Sequence, residues 1–156
     1  MFHKMRRSDR QITQEECLEC LIGGEFGMLT TYGENEYPTA MPYNYVVSEN
    51  YIYIHCSMRS NHTLASVKHH AKASFTYVGK TTLIPEEFVT DYISVIVFGE
   101  AMIMEQEEKK RALRLFIDKY APHVKELGYQ HVDEDMDKAC VVGLKIEHMT
   151  GKKRQS

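Results

Sequence analysis

The chain has 156 residues, a formal net charge of −3 and 26% charged residues, the mix of one globular domain rather than a disordered chain. That balance offers no electrostatic footprint for nucleic acid, and no apolar run approaches the roughly 20 residues a membrane span needs. The basic start MFHKMRRSDRQIT has no apolar stretch behind it, so no secretory signal is read there; a cytoplasmic protein with four reduced cysteines is expected.

Thr13 followed by Glu16 is a capping-box signature, and it predicts a helix running to Ile22. Gly23-Gly24 should end it in a left-handed turn. Cys17 and Cys20 form a C-x-x-C within this helix, so a metal or dithiol role has to be weighed. No second pair stands at ligand spacing, and the flanking Leu18, Leu21 and Ile22 read as core. Strands follow at Phe26–Tyr32, Thr39–Val47 and Tyr51–Cys56, joined by connections too short for crossovers, as in an antiparallel meander. Pro42 cannot donate to a ladder, so its surroundings should be an edge, a bulge or a ligand.

Beyond these, NHTLASVKHH suggests a short helix and KASFTYV a fourth strand. YISVIVFGEAMIM is a long strand with a bulge or kink at Gly99. EQEEKKRALRLFIDKYAP reads as an amphipathic helix burying Ala112, Leu113, Phe116, Ile117 and Tyr120. HVDEDMDKA is a polar connector, CVVGLKIEHM a last strand and GKKRQS a solvated end. Six strands and about three helices favour a mainly β protein, a closed or nearly closed antiparallel barrel with peripheral α-helices. It forms one domain over residues 1–156, with the barrel at about 26–149 and the N-terminal helix at about 13–23.

The chemistry concentrates in YIYIHCSMRSNHTLAS. With a side-chain period of two, Ile52, Ile54 and Cys56 share the core face, and Tyr51, Tyr53 and His55 share the other. His55 is thus presented at a strand end. Ser57, Arg59, Ser60, Asn61 and Thr63 then supply hydroxyls, a guanidinium and an amide at a helix start, which suits an anion such as phosphate. A plain surface loop with an N-cap would use the same residue types. His62, His69 and His70 have no acidic neighbours, so no metal site is expected.

Six blocks in order, MRRSDRQIT, FGMLTT, YPTAMPYNYV, IYIHCS, YISVIVFGEA and IEHMTGK, closely resemble the 5-nitroimidazole-resistance (Nim) family of pyridoxamine-5′-phosphate-oxidase-like flavoproteins. The resemblance implies a six-stranded split β-barrel and a homodimer with FMN at its interface. It sets Met41, Pro42, Tyr43 and Asn44 along the flavin ring, and it sets His55 beside the flavin as the catalytic residue. The following segment, Cys56, Ser57, Arg59, Asn61 and His62, becomes the phosphate-binding one. Ser94 and Val95 fall on a strand near the cofactor or across the dimer. The chain departs from the family where a glycine and a base are commonly found after the histidine strand; here the segment reads MRSNHT. The activity implied is transfer of electrons from a reductant through FMN to a small acceptor such as a nitroimidazole. A non-enzymatic flavin-binding or sensing protein, and a haem-binding barrel with His55 as axial ligand, are the alternatives.

Overall fold

A computed structural model describes residues 1–59 and 62–156. Its strands are β1 (Gln11–Ile12), β2 (Phe26–Tyr32), β3 (Pro38–Ser48), β4 (Tyr51–Ser57), β5 (Lys72–Val78), β6 (Thr82–Ile84), β7 (Val89–Met104) and β8 (Ala139–Arg154). The helices are α1 (Gln14–Gly23), α2 (His62–His69), α3 (Gln106–Tyr120) and α4 (Lys125–Asp135). Neighbours around the sheet run β8, β4, β3, β2, β5, β7, and β7 pairs back onto β8. All these pairings are antiparallel, so six strands close a ring. This is the expected barrel, with helices at its periphery.

Closure rests on the two 16-residue strands, β7 and β8. Their ladder runs from Tyr92↔Arg154 to Met104↔Val141, with one register break between Phe98 and Gly99. The break falls at the bulge expected from the glycine. A side chain at Gly99 would collide with the carbonyl of Lys145, so only glycine allows the strands this approach.

The barrel interior holds Leu29, Ile52, Ile54, Phe75, Val97, Val142 and Leu144, all essentially without solvent contact. Each contributes roughly 1.5–3 kcal/mol by leaving water. Helix α1 adds Cys17 and Leu21 to this cluster. Its capping box is complete: the Glu16 amide donates to Thr13 Oγ1 at 3.2 Å, and the Thr13 amide donates to the Glu16 carboxylate at 2.8 Å. Cys17 is wholly buried, and burial pushes its thiol up to about 11.

Four expectations need correction. Gly24 ends α1 in extended backbone, with φ −75° and ψ 148°, not in a left-handed turn. It is glycine because a Cβ would strike the Tyr45 hydroxyl and the Tyr77 ring. Tyr53 does not lie on an open aromatic-polar face. It is fully buried in a second core between β4 and the α3–α4 layer, with Val46, Ala112, Leu113, Phe116 and Val141. The polar connector read at 131–139 is helical over its first half: with the unassigned 125–130 it forms α4, Lys125–Asp135, which closes that core with Val132. The basic end is not solvated coil: β8 continues to Arg154, whose guanidinium pairs with Asp91 and, at 3.4 Å, with Glu87.

Helix α3 is tied to the barrel at two points. Near its start, the Tyr53 hydroxyl donates to Glu108 and accepts from Arg111, which also donates to Ser48. At its end, the Tyr120 hydroxyl accepts from the Tyr45 amide at 3.0 Å and lies 2.7 Å from the Glu25 carbonyl and 2.8 Å from that of Tyr45. Removing this hydroxyl strands part-buried backbone groups, which costs about 1–3 kcal/mol. Tyr120→Phe should therefore lower the urea midpoint with an unchanged m-value; an unaltered midpoint would show that the clasp contributes nothing.

Candidate cofactor site

The site begins where two strands part. β3 pairs with β4 from Ser48↔Tyr51 only as far as Tyr45↔Ile54. Beyond that point β3 continues along β2, through Asn44↔Phe26, Pro42↔Met28 and Pro38↔Tyr32. β4 continues along β8, through His55↔Val141 and Ser57↔Ala139. The barrel is thus split, and Met41–Asn44 and His55–Ser57 form two strand edges that do not pair with each other. Pro42 fits this position. The intact β2 ladder places its missing N–H on the gap side, where no strand needs it. Backbone groups alternate along a strand, so Ala40 and Asn44 turn N–H and C=O toward the gap as well.

Side chains crowd both ends of the split. The Tyr43 hydroxyl bonds Thr63 Oγ1 at 2.8 Å, tying β3 to the first turn of α2, and Thr63 is buried there. Asn44 donates its side-chain amide to the Glu25 carbonyl at 2.9 Å. Lys119 donates to the Tyr45 carbonyl at 2.9 Å and lies 4.3 Å from the centre of the Tyr45 ring. Burial lowers the pKa of Lys119, while Tyr43 is raised chiefly by burial.

His55 stands on the far edge with an exposed side chain, as its place at the strand end predicts. It is not isolated: its ring meets Phe116 edge-on, with centroids 4.7 Å apart. Together they border a cleft of about 370 Å³ between β4, α3 and α4. Its wall is apolar, with Leu113, Ile117, Val132 and Met136, and the Asp135–Lys138 ion pair lies at its rim. Desolvation by these neighbours lowers the His55 pKa, so the imidazole is neutral at pH 7.

Of the other expected residues, Met41, Pro42, Tyr43, Asn44, Cys56 and Ser57 lie on the two edges of the split. Arg59 is exposed, and its amide donates to Ser57 Oγ at 3.1 Å. His62 opens α2 and is exposed, with a weak 3.4 Å contact to Ser66. Ser60 and Asn61 lie outside the described residues. Ser94 and Val95 do not join this group. They lie on β7, away from the gap, and Val95 is wholly buried in the barrel interior. The sequence reading did not assign the α3 residues Phe116, Lys119 and Tyr120 to the site. Phe116 and Tyr120 carried an amphipathic signal for burial, but nothing in that period shows which strand end they meet.

Residues 13–153 match the family model described as pyridoxamine 5′-phosphate oxidase, and the chain belongs to that family. Among solved structures, it resembles one described as a 5-nitroimidazole antibiotic resistance protein from Bacteroides thetaiotaomicron, at 16% identity and TM-score 0.77, covering 91% of this chain and 85% of that one. The flavocytochrome Anf3 from Azotobacter vinelandii matches at 21% identity and TM-score 0.81, covering 99% and 73%. A FAD-binding protein from Mesorhizobium loti matches at 14% identity and TM-score 0.65, covering 94% and 98%. At these identities the structures establish the shared fold. No curated protein sequence matches. No helix among the described residues is long and apolar enough to cross a membrane.

The residues present fit a flavin of the kind the family implies. A flat ring with alternating donors and acceptors along its edge complements the gap-side backbone of Ala40, Pro42 and Asn44. Ser57 and Arg59 supply a hydroxyl and a cation suited to a phosphate.

His55 provides a direct test of the site's electrostatics. Its stabilising contribution is complete above the unfolded value near 6.5 and is lost as pH falls below it. An NMR titration should place His55 below 6.5, and Phe116→Ala should move it back up. A His55 titrating at or above 6.5 in the parent protein would remove the desolvation argument.

Proposed function

We propose that the chain is an FMN-binding oxidoreductase of the 5-nitroimidazole-resistance type, passing electrons from a reductant to a small acceptor such as a nitroaromatic. The observation that supports it most is the split between β3 and β4, with freed backbone on one side and His55 on the other. Within the reading, Met41–Asn44 hold the ring edge. Ser57 and Arg59, with Asn61 and His62, hold the phosphate. The flavin supplies two-electron or one-electron transfer when bound. His55, neutral and beside the apolar cleft, offers a ring N–H to an acceptor oxygen and relays a proton from solvent as the acceptor is reduced. The cleft excludes water from one side of that contact.

The test uses the purified full-length protein. FMN titration should give a perturbed visible spectrum, and His55→Gln should keep that spectrum while losing at least tenfold in turnover of a nitroimidazole with a reduced nicotinamide. No spectral change on adding FMN would sink the cofactor assignment. Unchanged turnover in His55→Gln would sink the catalytic one.

The same reading includes a homodimer with the site at its interface. One outer face of the barrel supports it. Two rungs cross five strands there, Pro42–Met28–Thr76–Ile96–Thr150 and Ala40–Thr30–Ser74–Phe98–His148, and neither contains an acidic side chain, a lysine or an arginine. Ile96 and Phe98 are each 38% exposed on it. A broad face without formal charge matches the core of a protein interface. It runs into the split at Pro42, so a second copy seated on it would border the cofactor. Ile96→Glu should convert a dimer to a monomer by light scattering and weaken FMN binding together. A parent protein of monomer mass would remove the dimer, leaving the cofactor question to the spectrum.

A further inference from the structure

Cys56 and Cys140 face each other directly across the β4–β8 ladder. They are the last inward-facing rung of a series that begins with Ile52↔Leu144 and Ile54↔Val142, both barrel core. Directly opposed antiparallel residues have Cα atoms roughly 4.5–5.5 Å apart. That falls within the range of roughly 4.4–6.8 Å that a disulfide spans. The thiols are near enough for the Cys56 side chain to influence the Cys140 thiol. Their surroundings differ. Cys140 is only 2% exposed, whereas Cys56 is partly exposed on the inward face of β4, at the split opposite Tyr43. The second thiol pair, Cys17 and Cys20, shows the same difference in burial, but both stand on one helix, α1, three residues apart, rather than on directly opposed strands.

We propose that Cys56 and Cys140 form a redox modification site, Cys56 meeting a hydroperoxide at the split between β3 and β4 and Cys140 resolving it to an intramolecular disulfide. The Cys56 thiolate attacks one oxygen of the O–O bond. That bond breaks, the sulfur becomes a sulfenic acid, and the other oxygen leaves as alcohol or water after taking a proton. The Cys140 sulfur then displaces the sulfenic hydroxyl, which leaves as water, and the S–S bond forms. Two thiols and one hydroperoxide give one disulfide, one alcohol or water and one further water. The two electrons lost by sulfur reduce the peroxide. Cys56 also faces Tyr43 across the split, close enough to raise its pKa. Drawing its sulfur onto β8 therefore alters the edge where the cofactor is proposed to lie. Formation of the bond itself does not rest on the flavin reading.

The experiment is titration of the full-length protein with hydrogen peroxide, followed by alkylation and intact mass. Two of the four cysteines should lose reactivity as the mass falls by about 2 Da. Combined digestion with trypsin and a glutamate-specific protease should yield 50–59 linked to 139–145, the peptides that carry Cys56 and Cys140. Reductant should restore both thiols. Cys20→Ser should retain the reaction, because it removes only the alternative pair, and Cys140→Ala should instead accumulate oxidised Cys56 or a mixed disulfide. A linked Cys17–Cys20 peptide, or Cys56 recovered as sulfinic acid in the parent protein with Cys140 still alkylatable, would overturn the proposal. The peptide map needs no variant, so a misfolded Cys140→Ala does not shelter it.

Discussion

β3 and β4 can share a ladder only to Tyr45↔Ile54, and most of what is distinctive in this molecule follows from that divergence. An interrupted ladder is destabilising unless the freed groups find partners and the ring is held shut elsewhere. The long β7–β8 pairing holds the ring. Beside the fork, on the β2 side of β3, the Tyr45 backbone bonds the Tyr120 hydroxyl and Lys119, so α3 anchors this strand without entering the gap. Further along, Pro42 removes a donor rather than satisfying one. What remains on the two edges is backbone turned to the gap, the place proposed for the cofactor.

The same divergence gives β4 two different environments. Its inward face, Ile52 and Ile54, belongs to the barrel core, while Tyr53 is sealed under α3 by contacts with Glu108 and Arg111. Two residues later the cover from the helices is only partial. His55 therefore has Phe116 on one side and open space on the other. Its lowered pKa follows from desolvation beside Phe116, and the same helix reaches the Tyr45 backbone through Tyr120. Helix placement, the fork and the imidazole are one mechanical unit.

How much of this was legible depends on the range of the interaction. Local signals held: the Thr13–Glu16 box, the strands, and the bulge at Gly99 are set by residues within a few positions or by glycine's lack of a side chain. The period-two reading placed His55 correctly at an open strand end. It misjudged Tyr53, because alternation shows that a face differs from its opposite, not that a helix some 60 residues later will cover it. α4 was missed because its apolar stripe is thin among charged residues. β8 was cut short because Lys152–Arg154 look solvated until Asp91 is brought alongside by the β7 pairing. Lys119 gave no signal, since a lysine held against tyrosine rings is spelled like any surface lysine.

The neutral state of His55 restricts what it can do in the proposed reaction. Reducing a nitro group takes up protons as well as electrons, and a histidinium would carry one ready for delivery. Desolvation against Phe116 works against holding that proton. A neutral imidazole still offers one N–H and one lone pair, so it can pass a proton onward and recover another from solvent at its open side. That division requires one wet face and one dry face. The structure provides both, with the exposed strand edge on one side and the apolar wall of Leu113, Ile117 and Val132 on the other. An imidazole sealed on both sides would have no proton source, and one exposed on both would lose its bias toward the neutral form. The Phe116 ring on one side and the exposed strand end on the other set His55 between those two limits.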